Sequence, residues 1–124
     1  MATIEDIKTE YLKRKQEGKK IREEYWQNLK PFQTVNDIPD LPVVDKDEWV
    51  NFYVPILIRC GAIPKKDLII GKKYAGACRN SDYGVWNGLT FTYKRGKFGT
   101  YYTEEINHFE DDDGYDLFVP LKIL

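Results

Sequence analysis

The sequence contains no apolar run long enough to form a membrane-spanning helix. The longest apolar run, Phe52–Ile58, is far shorter than the roughly 20 residues that a bilayer requires. Residues 1–6 show no basic segment followed by an apolar one, so we expect no secretory signal. We therefore expect a cytoplasmic protein with no membrane partner.

Cysteine and histidine are scarce. The chain has two cysteines, Cys60 and Cys78, and one histidine, His108. A zinc site built on the cysteines needs two more ligands, and His108 is the only other obvious candidate. We expect two buried thiols in different structural elements, and no metal site.

Motifs for catalysis and for cofactor binding are also missing. The sequence has no Walker-type phosphate loop, no dinucleotide-binding fingerprint, no His-Glu-x-x-His and no Gly-x-Ser-x-Gly. His108 lies beside several carboxylates and could act as a general base, but no nucleophile or oxyanion motif accompanies it. We predict that the protein is not an enzyme, and that it has no catalytic residue and no cofactor.

The composition is that of a folded protein. The 124 residues are 42% hydrophobic and 15% aromatic, which is enough for one domain with a core. The net charge of −1 hides two blocks of opposite sign. Residues 61–103 carry eight Lys and Arg against two acidic residues, whereas residues 104–124 carry one against seven. Such blocks affect association more than they affect the fold.

Residues 1–30 are predicted to form an N-terminal helical arm. Thr3 is a favourable N-cap, and Pro31 ends the helix near Asn28. Apolar residues recur at spacings of three and four, as in an amphipathic helix, although Arg14 and Gly18 weaken the repeat. The apolar residues of this repeat are Ile4, Ile7, Tyr11, Ile21 and Tyr25. A solvated helix and homodimerisation through this helix both stay open, as does whether the helix docks or projects.

Residues 31–45 are predicted to be a proline-containing connector that leads into a second helix. Asp45 and Glu48 form a pair typical of a helix start, and Gly61 can end the helix in the left-handed conformation. The helix is apolar almost all round, so we expect it to be buried. Pro55 lies inside it, which predicts a kink or a late start.

Residues 46–124 are predicted to form one α+β domain whose C-terminal part is a chain of short strands. Seven of the nine glycines lie in this part and mark turns. The predicted strands are Lys73–Arg79, Tyr83–Trp86, Leu89–Lys94, Tyr101–Ile106 and Tyr115–Leu121. The predicted fold class is therefore α+β, with a long N-terminal helix, one buried helix and a small SH3-like antiparallel β barrel of about five strands.

Turn and proline chemistry predict two further details. Asn87-Gly88 favours a two-residue type I′ hairpin turn, and Arg95-Gly96 and Phe98-Gly99 are further turn candidates. Pro120 lacks a backbone N–H, so we expect the last strand to lie at a sheet edge or to end there.

The C-terminal half contains a series of short motifs that form a recognisable pattern. They are Asp67-Leu68, Gly71-Lys72-Lys73-Tyr74, Cys78-Arg79-Asn80, Trp86-Asn87-Gly88, Phe91, Tyr93, Lys97-Phe98-Gly99, Glu105, His108, Glu110-Asp111-Asp112 and Asp116-Leu117-Phe118-Val119-Pro120. This pattern resembles small uncharacterised proteins encoded by tailed phages and prophages. The resemblance implies a phage origin and supplies no catalytic residue. Many phage proteins of this size bind and block host machinery, including defence systems.

A cluster of acidic residues near the C-terminus is a candidate partner-binding surface. Its members are Glu110, Asp111, Asp112, Asp113 and Asp116. Their spacing does not match a calcium-binding EF-hand loop. Three alternatives stay open: a solvated acidic turn, a metal or catalytic site, and a partner-binding surface. Such a surface could mimic nucleic-acid phosphates and occupy the basic groove of another protein.

A set of basic residues is a candidate nucleic-acid surface. Its members are Lys72, Lys73, Arg79, Lys94, Arg95 and Lys97, interleaved with Tyr74, Tyr83, Trp86, Tyr93 and Phe98. Aromatic rings on strands can stack on bases while Lys and Arg bind phosphates. The same aromatic residues are also what a small barrel core requires.

The favoured interpretation is a non-enzymatic, phage-type protein-binding module. Its target is a host or phage protein, and inhibition of a host defence protein is one form of that function. If the protein is phage-encoded, it acts in the host cell cytoplasm. The alternative is a nucleic-acid-binding module that uses the basic aromatic band of residues 65–98.

Overall fold

The computed structural model describes residues 3–78, 81–111 and 116–124, and at Lys97 it describes the backbone alone. The chain divides into two compact units, residues 1–30 and residues 31–124. It contains a long N-terminal helix, one further helix and a closed five-stranded β barrel. The predicted α+β class is confirmed.

The first unit is helix α1 (Ile4–Gln27), which begins in a capping box. Thr3 Oγ1 accepts a hydrogen bond from the Asp6 N–H at 3.2 Å, and Asp6 Oδ2 accepts one from the Thr3 N–H at 3.1 Å. The helix is capped at its C-terminal end by Asn28, as predicted. Among the helices that the structure describes, none combines the length and the apolar character needed to cross a membrane.

The second helix, residues 46–59, has three consecutive segments: α2 (Lys46–Glu48), a π-helical turn (Trp49–Tyr53) and α3 (Val54–Arg59). The helix does not start late, because Asp45 is its N-cap: Asp45 Oδ1 accepts a hydrogen bond from the Glu48 N–H at 2.9 Å. The irregularity expected from proline is the π-helical turn, where the N–H of Val54 bonds to the carbonyl five residues earlier. The wider turn lies directly before Pro55, which has no N–H to donate.

Gly61 ends this helix as predicted. Its φ is +116°, and its N–H donates to the Ile58 carbonyl at 3.1 Å. The next residue, Ala62, donates to the Leu57 carbonyl at 2.9 Å. This pair of hydrogen bonds is a Schellman motif, which favours glycine at the left-handed position.

The barrel is built from β1 (Lys73–Ala77), β2 (Tyr83–Trp86), β3 (Phe91–Lys97), β4 (Thr100–His108) and β5 (Leu117–Ile123). Neighbouring strands pair in chain order, and β5 closes the barrel against β1. The pairings are antiparallel except that of β4 with β5, which is parallel over two residue pairs. The barrel thus departs at this one contact from the all-antiparallel arrangement that we predicted.

The prediction that β5 ends at Pro120 or lies at an open edge is wrong. The strand continues to Ile123, and the register shifts between Ala75 and Gly76, opposite Pro120. This bulge lets a proline occupy a closed sheet. A Cβ at Gly76 would lie 2.2 Å from the Val119 carbonyl oxygen, so glycine is required for the two strands to meet.

Two of the predicted turns are wrong and one is confirmed. Residues 87–90 form a four-residue loop, because Asn87 Oδ1 accepts the N–H groups of Leu89 and Thr90 at 2.8 and 2.7 Å. Gly96, predicted to lie in a turn, is inside β3. The two-residue turn is Phe98-Gly99, where both φ angles are positive, +52° and +79°, as a type I′ turn requires.

The barrel core consists of Tyr74, Trp86, Phe91, Tyr93, Ile106 and Phe118. The second helix joins the barrel through Trp49, whose Nε1–H donates to the Phe109 carbonyl at 2.7 Å. Residues 31–45, predicted as a connector, belong to the second unit. Phe32 is buried there, and its N–H donates to the Cys60 carbonyl at 2.7 Å.

Candidate functional site

The acidic residues predicted as a partner surface lie around the loop between β4 and β5. Glu110 and Asp111 follow β4, and Asp116 is exposed directly before β5. Asp112 and Asp113 lie outside the described residues. Partner binding by this cluster stays a prediction.

Glu110 and Asp111 both bind Lys65. The Glu110 carboxylate accepts a hydrogen bond from the Lys65 backbone N–H at 2.6 Å. The Lys65 Nζ lies 2.9 and 2.8 Å from the two carboxylate oxygens of Asp111. Lys65 begins the 3-10 turn Lys65–Asp67, so these contacts hold that turn against the end of β4. The two carboxylates therefore have a structural role, which leaves less of their charge for a partner.

An open cleft of about 1000 Å³ lies beside these contacts. Apolar residues from the end of the second helix and the following turn line one part of it, and charged residues line the rest. Its lining includes Ile58, Ala62, Ile63, Lys66 and Asp111. Across residues 3–78, 81–111 and 116–124, no three His, Cys, Asp or Glu side chains are grouped so that they could hold a metal ion.

His108 is fully buried at the end of β4. Its Nε2–H donates a hydrogen bond to the Ile63 carbonyl at 2.9 Å, and its Nδ1 accepts one from the Glu110 N–H at 3.1 Å. Burial lowers the pKa of the imidazole, which favours its neutral form. Because both ring nitrogens are engaged inside the protein, this geometry gives no support to His108 as a general base.

The cysteines are thiols in separate elements. Cys60 is buried at the end of the second helix, and burial raises the pKa of its thiol. Cys78, directly after β1, is half-buried, and its Sγ lies 3.1 Å from the Ser81 carbonyl oxygen. Raising the pKa lowers the fraction of thiolate, so Cys60 is a poor nucleophile and metal ligand.

The predicted basic side chains that the structure describes do not all lie on one face of the sheet. Lys73 and Lys94 lie on the outer face of the sheet, where they and Tyr83 line a shallow depression of about 190 Å³. The Lys73 Nζ lies 4.2 Å from the centroid of the Tyr83 ring. Arg95 follows Lys94 in β3 and so points to the other face, where it pairs with Glu104 at 3.3 Å.

Of the remaining members of the basic set, Lys72 does not line this depression, and two others fall wholly or partly outside the described residues. Lys72 is exposed directly before β1, and Arg79 lies outside the described residues. For Lys97 the structure places the backbone at the end of β3. Two of the six predicted basic side chains, Lys73 and Lys94, are thus brought together on one face.

Most of the aromatic residues predicted to interleave with the basic set are in the core. Tyr74, Trp86 and Tyr93 are buried. Of the five predicted aromatic residues, this leaves Tyr83, which is half-buried, and Phe98, which is exposed. Base stacking requires an exposed ring, so the predicted stacking surface is smaller than the sequence indicated.

The β3–β4 hairpin instead carries three exposed aromatic side chains at one end. Phe98 is 96% exposed, Tyr101 77% and Tyr102 40%. Gly96 pairs with Tyr101 across the strands, and a Cβ at Gly96 would lie 2.9 Å from Tyr101 Cε1. Glycine at this position therefore leaves room for the Tyr101 ring. We call Phe98, Tyr101 and Tyr102 the hairpin tip.

Glu104 anchors the hairpin to the barrel. Its carboxylate accepts hydrogen bonds from the Tyr93 hydroxyl at 2.5 Å and from Arg95 Nη1 at 3.3 Å. The Tyr93 hydrogen bond is the main cause of the lowered pKa of Glu104. Because the Tyr93 ring is buried in the core, this contact ties the stem of the hairpin to the barrel.

The hairpin tip is not among the sites predicted from the sequence, although the sequence does contain a signal for it. Tyr101 and Tyr102 are consecutive in a predicted strand, so their side chains must point to opposite faces. At least one of the two rings therefore has to lie outside the barrel interior.

Comparison with known proteins identifies no relative. No family model, no curated protein and no solved structure matches this chain. The functional assignment therefore depends on the geometry of the described residues.

Proposed function

We propose that the protein is a non-enzymatic protein-binding module whose main contact surface is the hairpin tip. The observation that carries the proposal is the conformation of Phe98. Its φ is +52°, and its side chain is 96% exposed. Within the described part of the chain, Phe98 is the one residue other than glycine with a positive φ.

Phenylalanine is an unfavourable residue for this turn. The left-handed conformation costs L-residues roughly 1–2 kcal/mol, and Asn or Asp relieve part of that cost through local hydrogen bonds. Type I′ turns accordingly favour Asn-Gly and Asp-Gly. A ring that is 96% exposed recovers little of this cost by burial in its own chain. We infer that binding of the exposed ring by another molecule favours an aromatic residue at this position.

The chemistry of the hairpin tip indicates the kind of protein that it would bind. Aromatic side chains supply much of the binding energy at protein interfaces. Residues 94–97 carry three positive charges, of which Arg95 is paired with Glu104, and residues 98–103 contain no acidic residue. The complementary surface is an apolar pocket with an acidic rim.

A phage origin and a host or phage target form part of this proposal, based on the resemblance of the C-terminal half described above. The target would then be met in the host cytoplasm, and inhibition of a host defence protein is one form of the function. The acidic cluster remains a second proposed contact. We rank it below the hairpin tip because Lys65 already engages Glu110 and Asp111.

A pull-down from nuclease-treated host lysate tests the proposal. We expect the wild type to retain a single protein and the double variant Phe98→Ala, Tyr101→Ala to lose it. The matched control is Leu89→Ala, because Leu89 is 76% exposed in a different loop of the same barrel. A partner that all three proteins retain equally contradicts the assignment of the hairpin tip.

The second candidate function is nucleic-acid binding by the outer face of the sheet. The observation that favours it is the joint position of Lys73, Lys94 and Tyr83 around one depression. If this face binds phosphates, affinity falls steeply with salt. Each lysine removed should then reduce the magnitude of the negative slope of log K against log salt by about one. Lys73→Gln and Lys94→Gln are the variants to titrate. A salt slope that neither variant changes rejects this candidate.

Self-association through α1 is a separate proposal. The five apolar residues of the predicted repeat, Ile4, Ile7, Tyr11, Ile21 and Tyr25, are exposed in the structure. Their partner would be a second copy of the chain, and the contact does not involve the hairpin tip.

A further inference from the structure

We propose that α1 pairs with α1 of a second copy as a parallel, in-register, two-stranded coiled coil. This inference specifies the orientation and register of the self-association proposed above. It depends on the residues of α1 and stands whether or not the hairpin tip binds a target.

The first requirement, an exposed apolar stripe, is met. Written as heptads with Ile4 at position a, the a and d positions are Ile4, Ile7, Tyr11, Arg14, Gly18, Ile21 and Tyr25. The five apolar residues of this set are all exposed. Trp26 is buried, but it is at position b and lies outside the stripe. The stripe is therefore accessible to a partner helix along its length.

The flanking charges supply the second and independent observation. The three e positions are all basic and the three g positions are all acidic. The e positions are Lys8, Lys15 and Arg22, and the g positions are Glu10, Glu17 and Glu24. A solvated helix has no need to separate charges in this way. Residues at e and g are those that contact the partner helix in a coiled coil and set its identity and orientation.

This separation of charge selects the parallel orientation. In a parallel pair each g residue lies beside the e residue of the partner's next heptad. Glu10 then meets the partner's Lys15, and Glu17 meets the partner's Arg22, which gives four attractive pairs per dimer. In an antiparallel pair e faces e and g faces g, so lysine and arginine would oppose each other and glutamate would oppose glutamate. The occupant that fits is a second copy running in the same direction.

Two positions weaken the core of this pair. Gly18 at position a contributes no side chain to the seam. Arg14 at position d places a charge there, although its Nε is 3.0 Å from Glu10 Oε1 of the same helix. We therefore expect a weak dimer whose population depends on protein concentration, rather than an obligate one.

A parallel pair has a functional consequence. It carries two hairpin tips on one assembly, which raises the apparent affinity for a target that presents two sites.

Sedimentation velocity on the full chain, from low to high micromolar protein, tests the pairing. We expect the wild type to shift reversibly from monomer to dimer. Two double variants each convert the four attractive pairs into repulsions: Glu10→Lys with Glu17→Lys, and Lys15→Glu with Arg22→Glu. Each should raise the dimer dissociation constant at least about tenfold. The control is Lys13→Glu with Lys20→Glu, which makes the same change of net charge as Lys15→Glu with Arg22→Glu but at two c positions, and which should dimerise as the wild type does.

Mixing the two charge variants separates lost pairing from lost folding. Each variant alone should be monomeric, whereas an equimolar mixture should form a heterodimer because all four pairs are again attractive. A wild type that stays monomeric over the whole concentration range overturns the proposal. So does a mixture that fails to associate when circular dichroism shows helical content unchanged in both variants.

The orientation is tested by an Ile7→Cys variant under mild oxidation. In a parallel, in-register pair the two introduced cysteines lie opposite each other at position d, within the reach of a disulfide. We expect a covalent dimer well above the level of wild type, which retains Cys60 and Cys78 and gives the background. A dimer in sedimentation that does not cross-link through position 7 shows a different orientation or register and overturns the proposal.

Discussion

Replacing Phe98 by asparagine should stabilise the protein and abolish its binding at the same time. Phe98 has a φ of +52° in a two-residue turn, and its side chain is 96% exposed. Asparagine tolerates the left-handed conformation better than phenylalanine, and Asn-Gly is a preferred type I′ turn. The substitution removes little buried surface, so relief of the backbone conformation should dominate.

The expected gain follows from the cost of the conformation. If asparagine recovers most of the roughly 1–2 kcal/mol that phenylalanine loses, the free energy of unfolding rises by about 1 kcal/mol. For a chain of this length, that corresponds to a rise in Tm of about 3–5 °C. Urea denaturation and thermal melting measured on the same samples give both quantities.

Leu89→Asn is the control for this experiment. Leu89 is 76% exposed in the four-residue loop between β2 and β3, and its φ is not positive. An apolar residue is exchanged for asparagine without relief of the backbone, so the free energy of unfolding should change by less than about 0.5 kcal/mol. If Phe98→Asn is no more stable than Leu89→Asn, the argument that Phe98 is retained for binding fails.

Two other predictions concern the barrel. Gly76→Ala should lower the free energy of unfolding by at least about 3 kcal/mol, because the new Cβ would lie 2.2 Å from the Val119 carbonyl oxygen and 2.7 Å from the Phe118 ring. Gly18→Ala in α1 should raise the helicity of α1 instead, because the new Cβ would meet nothing within 4 Å apart from the backbone of its own helix. Similar urea midpoints for the two variants would contradict this account. Burial lowers the pKa of His108 from its ordinary value of 6.5. Above pH 6.5 the imidazole is neutral in both the folded and the unfolded chain, so protonation does not oppose folding there. Stability should fall as the pH drops below 6.5 toward the lower folded-state pKa, since the unfolded chain binds the proton first. His108→Gln should flatten this dependence between neutral and mildly acidic pH in urea denaturation, and an unchanged slope would show that other groups cause it.

The class of fold could be predicted because its signals are local. Thr3 and Asp6 lie three residues apart, and Gly61 lies two residues after the last residue of the helix that it ends. Strand alternation and glycine-containing turns likewise depend on near neighbours. For this reason the helix ends and the number of strands agree with the structure.

The details that failed depend on contacts distant in sequence or on choices between similar turns. Pro120 fits inside the closed sheet because the β1–β5 register shifts by one residue where it meets Gly76, more than 40 residues earlier in the chain. Asn87-Gly88 and Phe98-Gly99 were both turn candidates, and it is the hydrogen bonds of the Asn87 side chain that give the first a longer loop. The first outcome depends on a residue distant in sequence, whereas the second is a choice between two local turns that Asn87 can both support.

The candidate surfaces likewise combine features that the sequence could predict with features that it could not. The ion pair between Lys65 and Asp111 spans 46 residues, so the sequence could not reveal that part of the acidic cluster is engaged. The separation of Lys94 from Arg95 was predictable, because consecutive strand residues point to opposite faces. The prediction of a single basic band neglects that rule, and the structure places Lys94 and Arg95 on opposite faces.

The most direct test of the account is site-specific photo-crosslinking through the hairpin tip. A photoreactive phenylalanine analogue replaces Phe98 in the full chain, and a second protein carries it in place of Leu89. After irradiation in nuclease-treated host lysate, we expect position 98 to form a covalent adduct with one protein and position 89 to form none. An adduct from position 89 but not from position 98 would place the contact surface elsewhere and contradict the proposed function.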